Sequence, residues 1–213
     1  MCRKCLLNET MKRVLTNYVQ ILLAGFLTLA LLPGCESKPS AKQSNKTKAT
    51  HLLSKESIYK STGRWDNQYG DTLLLGKLAG KIQVISMIFT RCPYACPRIV
   101  ADMEAIKKQV PEDKRDKVVF VLVSFDSDRD HTPQLKEFAK KMNLDDKWLI
   151  LHGNEDAVKE LSKLLGSRYK KQPNGDYSHS SEITLLDTKG VIAAQIEGLE
   201  VDAKAVVEGI EEL

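Results

Sequence analysis

Two cysteines four positions apart, each followed directly by proline, carry the clearest chemical signal in the chain: Phe89-Thr-Arg-Cys-Pro-Tyr-Ala-Cys-Pro97. Two thiols one helical turn apart can close to a disulfide, or as thiolates hold a soft metal ion. If Cys96 sits at or just before a helix start, with Pro97 in the first turn, free N–H groups and the helix dipole favour its thiolate. Dedicated dithiol oxidoreductases usually separate their cysteines by two residues, and here three intervene. Structural zinc wants four ligands, more than this pair supplies. Two thiolates joined by one imidazole suit copper, since soft sulfur selects Cu(I) and nitrogen accepts either copper state. The plainer reading is a pair of small buried residues, and two cysteine–proline pairs in one loop argue against it.

A copper site needs a third ligand, and the chain has four histidines. His51 lies in a polar stretch. His131, in Asp128-Arg-Asp-His-Thr-Pro133, precedes a helix cap and reads as solvated. His152, beside Gly153-Asn154, reads as a loop residue. His179 stands in the polar loop Asn174-Gly-Asp-Tyr-Ser-His-Ser-Ser181 that feeds the C-terminal hairpin. Spacing alone does not select among them.

The elements that must position these groups follow from apolar periodicity. The run Lys81–Phe89 is almost continuously apolar, as a strand buried on both faces requires, and Val118–Phe125 repeats the pattern. Ile99, Val100, Met103, Ile106 and Val110 recur at helical spacing between them. Thr132-Pro133 reads as an N-cap followed by proline, heading a helix with Leu135, Phe138, Ala139 and Met142 on one face. Trp148–Leu151 is a third strand. Asn154 caps a helix bearing Val158, Leu161, Leu164 and Leu165. Glu182–Asp187 and Val191–Ile196 form a hairpin around Asp187-Thr-Lys-Gly190, and Val206, Val207, Ile210 and Leu213 mark a last helix. The expected fold is α/β, a thioredoxin-like mixed central sheet flanked by helices, closed by a C-terminal hairpin and helix. The cysteines then fall at the carboxyl edge of the first buried strand, where such sheets carry their sites.

Of 213 residues, 42% are hydrophobic and 28% charged, ample for one core. Three of the four net positive charges belong to residues 1–35, so the body is nearly neutral and offers no electrostatic case for nucleic acid. The expected organisation is a signal segment over 1–35 (Met11 being a second candidate start), a flexible tether over 36–51, and a folded domain over 52–213. Lys12 and Arg13 precede the apolar run Val19–Leu32, which is short for a membrane span of about 20 residues and suits a secretory signal. Leu32-Pro33-Gly34-Cys35 resembles the bacterial lipobox, making Cys35 the expected lipidation site. Of five cysteines, Cys2 and Cys5 are assigned no role.

The cysteine motif resembles the signature of the Sco/SenC copper-chaperone family, whose thiols lie in an F-T-x-C-P-x-x-C-P setting. The likeness extends over residues 55–213. It takes in Val123-Ser-Phe-Asp126, Asp128-Arg-Asp130 before Thr132-Pro133, and His179 eight residues ahead of Asp187. The resemblance implies Cys92, Cys96 and His179 as copper ligands on a thioredoxin-like domain outside the cytoplasm. It implies copper delivery to the dinuclear copper site of a cytochrome oxidase, or to another extracytoplasmic cuproprotein, with a thiol reductant keeping the cysteines competent. The chain would be a bacterial lipoprotein held to a membrane, its domain facing the periplasm or cell exterior. Three positions depart from the pattern: Tyr94 and Ser178 replace acidic residues, and His131 is an apparent insertion. A thiol–disulfide oxidoreductase acting on partner cysteines, or a redox or copper sensor, would use the same pair.

Overall fold

The computed structural model describes residues 56–213. The signal segment, tether, Cys35 and His51 therefore lie outside the described residues.

The core is a mixed seven-stranded sheet in the order β2-β1-β5-β4-β3-β8-β9. Its centre is β3 (Ile82–Ile88), buried at all seven positions, beside β4 (Val118–Ser124) and β5 (Trp148–Gly153). These three run parallel, with Ile82 opposite Val118 and Phe120 opposite Trp148. Their unbroken apolar runs are what a strand covered on both faces needs. On the other side β8 (Glu182–Leu186) pairs antiparallel with β3 and with β9 (Ile192–Glu197), the expected hairpin.

The crossover helices α1 (Ala95–Gln109) and α2 (Thr132–Lys141) join strands stepping in one direction, so right-handed connections place both on one face. The terminal α4 (Ala203–Glu211) packs beside α1. The opposite face takes α3 (Glu155–Leu165), whose Leu165 carbonyl accepts from Gln195 Nε2 at 2.7 Å across to β9. Asn154 caps α3 as expected, accepting the Ala157 N–H at 2.9 Å, and Gly166 ends it with φ +70°. The fold is the thioredoxin-like α/β arrangement that the pattern predicts.

Three expectations are corrected. Thr132 is the first helical residue of α2 and His131 the cap position; the extended backbone of His131 makes the turn. The third strand runs on through His152 to Gly153, because it acquires an antiparallel neighbour, β1 (Arg64–Asn67), pairing Asp66 with His152 and Trp65 with Gly153. β1 in turn pairs with β2 (Thr72–Leu74). Lastly, His179 belongs to no loop. It ends β7 (Tyr177–His179), which pairs with β6 (Tyr169–Lys171) as a separate two-stranded ribbon.

Candidate metal centre

β3 delivers the chain to its carboxyl edge at Phe89, and α1 starts six residues later. Tyr94, the cap position of α1, contributes no side-chain hydrogen bond to its first turn. The sulfur of Cys92 does so instead, accepting the Cys96 N–H at 3.3 Å. The four unpaired N–H groups of a helix start need acceptors, and here a sulfur supplies one. The expectation that Cys96 would be the thiolate is thereby reversed. Cys92 is the ionised member, its pKa lowered to about 3 by the Cys96 thiol donating to it, against the opposing effect of burial, with His179 and the Cys96 and Tyr94 N–H groups adding to the effect. Cys96 is fully buried, and burial together with the neighbouring Cys92 charge pushes its thiol up, so it keeps its proton. Both cysteines are free.

The ribbon brings in the third group. His179 Nε2 lies 4.0 Å from Cys96 Sγ, and the ligand atoms of Cys92, Cys96 and His179 all fall within 4.8 Å of one another. Among the described residues this is the one cluster of three such side chains. His179 Nδ1 sits 2.8 Å from the Ser180 carbonyl oxygen, which can only accept, so Nδ1 donates there and Nε2 is the ring nitrogen turned toward the sulfurs, donating to the Cys92 thiolate in the metal-free site and able to give up that proton to a metal ion. Burial lowers the His179 pKa, but the Cys92 and Ser180 hydrogen bonds outweigh it and leave it raised. Two soft sulfurs and one in-turned imidazole nitrogen, gathered around a common centre, fit a copper ion that displaces their protons on binding.

Two buried aspartates hold these parts in place, a role spacing alone does not reveal. Asp130 accepts three hydrogen bonds: from Thr90 N–H at 2.8 Å, Thr90 Oγ at 2.6 Å and Ser124 Oγ at 2.6 Å. It thereby pins the cysteine loop to the end of β4. Asp126 accepts Arg129 Nε at 2.5 Å and the Tyr177 hydroxyl at 3.3 Å, while Arg129 also donates to the Gly175 carbonyl in the ribbon's turn. Aromatic contacts complete the attachment: Tyr169 stacks on Phe125 at 5.2 Å, and Phe125 packs against Tyr177 and His179. The ribbon turns at Asn174-Gly175, with Gly175 at φ +84°. Asn-Gly between short strands is the local signal that marks this hairpin in the sequence.

Of the other histidines, His152 is half-buried in β5 and faces Asp66, while His131 stays exposed; neither joins the thiols.

The family model described as SCO1/SenC matches residues 56–213. A solved structure described as a SCO1/SenC family lipoprotein from Bacillus anthracis is 29% identical with a TM-score of 0.65, the match covering 70% of this chain and 91% of that one. ScoI of Bradyrhizobium japonicum, solved with copper bound, is 23% identical (TM-score 0.61, 70% and 96% covered) and shares the fold. BsSco, described as a member of the Sco family of cytochrome c oxidase assembly proteins, is 24% identical (TM-score 0.62, 75% and 92% covered). The chain spans 59 to 72% of the length of its leading curated relatives, at 29 to 30% identity. No helix of the described residues is long and apolar enough to cross a membrane.

Proposed function

Since the chain belongs to the SCO1/SenC family, we propose that it is an extracytoplasmic metallochaperone carrying copper as cargo for assembly of the copper site of cytochrome c oxidase. Cys92, Cys96 and His179 are the ligands in this reading. The observation that carries it is the histidine: an imidazole whose Nδ1 is fixed by Ser180 and whose Nε2 is turned toward the two sulfurs. Thiol–disulfide exchange has no need of that third donor, whereas a three-ligand copper site does.

The cysteine pair also supplies a switch. Oxidation to the disulfide joins the two sulfurs and removes both soft donors, so only the dithiol takes copper; a thiol reductant would restore it. Cys35 as a lipidated N-terminus would hold the domain to a bacterial membrane over residues 36–51, with residues 52–213 as the working part. The related lipoprotein supports that anchoring. The partner would be the copper-site subunit of the oxidase or another extracytoplasmic cuproprotein.

Titration of Cu(I) into the reduced wild type and His179→Ala tests this reading. The variant is expected to lose copper affinity by about 10–100-fold or more while exchanging disulfides at nearly the wild-type rate. Unchanged copper affinity in His179→Ala would remove the third ligand and leave an oxidoreductase.

A further inference from the structure

The correction at His152 brings together three side chains that the site above does not use. The pairing of β1 with β5 sets Asp66 opposite His152, and His152 Nε2 lies 3.7 Å from Asp66 Oδ2. The other oxygen of Asp66 accepts the Thr72 hydroxyl, which orients the carboxylate with one oxygen left for His152. From the cap of α2, His131 lays its ring edge-on to His152, with centroids 5.3 Å apart and planes 81° apart. His152 is thus the shared neighbour of a carboxylate and a second imidazole where β5 ends and α2 begins.

We propose that His131, His152 and Asp66 form a second metal site, for a divalent first-row cation, with Cu(II) bound most strongly. The donor set differs in kind from the thiol pair. Imidazole and carboxylate suit Cu(II) and Zn(II), and among divalent ions the Irving–Williams order places Cu(II) highest. The ring spacing is right: two imidazoles each bound about 2.0–2.1 Å from one ion have centroids roughly 5 Å apart. Burial lowers the pKa of His152 despite the opposing Asp66 charge, so the ring is neutral and able to coordinate at neutral pH. The nearby Asp130 is committed to Thr90 and Ser124 and is no competitor for His152. The three ligand atoms do not converge as those of Cys92, Cys96 and His179 do, so the proposed site requires the exposed His131 ring to turn toward Asp66 and His152. The site rests on none of the copper-cargo reading above.

The test uses the full chain carrying Cys92→Ser and Cys96→Ser, its remaining thiols alkylated, titrated with Cu(II) and followed by electron paramagnetic resonance. The expected result is a Cu(II) signal with hyperfine splitting from two nitrogens. Either His131→Gln or His152→Gln should abolish that two-nitrogen signal and lower affinity by about 10–100-fold, with circular dichroism unchanged. His131→Gln is the cleaner variant, because its side chain is exposed and its loss leaves the core intact. A spectrum unaltered by His131→Gln, or altered by His152→Gln alone, overturns the shared site.

Discussion

At the residue scale the cysteine pair is asymmetric, and the asymmetry has a measurable pH signature. Cys92 gains a donor from the buried Cys96 thiol, and that hydrogen bond is the largest cause of its lowered pKa of about 3, against an ordinary value of 9.0. Between those two values the unfolded chain binds one more proton at this position than the folded one, so Cys92 adds stability that grows as pH rises. That contribution is complete above the ordinary thiol value and is lost as pH falls through about 3. Ultraviolet thiolate absorbance of the reduced protein, minus that of Cys92→Ser, should therefore show one ionised sulfur from pH 7 down to the region of 4. A difference signal that titrates near the ordinary thiol value would refute the asymmetry. The cysteines themselves were legible from their four-residue spacing and paired prolines. The direction of the asymmetry was not, because it depends on which sulfur is sealed in the core and which one caps the helix.

At the element scale, the long buried strands and amphipathic helices announced themselves through apolar periodicity. β1, β2, β6 and β7 did not, since strands of three or four residues carry too few side chains to show an alternation. That gap explains why His152 read as a loop residue. It also explains why resemblance was needed to single out His179, whose meeting with Cys96 spans 83 residues of sequence. The ribbon depends on side chains for its attachment, and Arg129 is the tie that can be cut most selectively. Arg129→Met leaves the fully buried Asp126 carboxylate without its guanidinium and the Gly175 carbonyl without its donor. The cost should be on the order of 2–3 kcal/mol, below the range for a wholly buried pair because Arg129 is partly exposed. Hydrogen exchange should accelerate over residues 169–179, and copper affinity should fall about tenfold through the loosened His179. Protection of the ribbon equal to wild type would show that the aromatic contacts alone hold it.

At the scale of the whole molecule, the start of the described chain lies at the end of the sheet remote from the cysteines. The Ile58 N–H donates to the Gly190 carbonyl at 2.9 Å and Ser57 Oγ to the Lys189 carbonyl at 2.5 Å, joining it to the β8–β9 turn. Cys35→Ala should move the protein from the membrane fraction to the soluble one, and mass spectrometry should find the wild-type N-terminal peptide lipid-modified. Copper binding should stay within about twofold of wild type, since no ligand is touched. An unprocessed N-terminus in the wild type would refute the lipoprotein reading. The division of the ligands between two bodies bears on delivery. Cys92 and Cys96 ride on one loop and helix fixed to the central strand, and His179 on a ribbon outside that sheet. A carrier built this way is no closed cage. If Cys92, Cys96 and His179 hold copper as proposed, an incoming donor from the recipient would displace the imidazole first, while both sulfurs still grip the ion, and then replace the sulfurs in turn. On the proposed reading the cargo would pass by stepwise substitution and never be bare, and the barrier to handover would be set by how readily the ribbon yields.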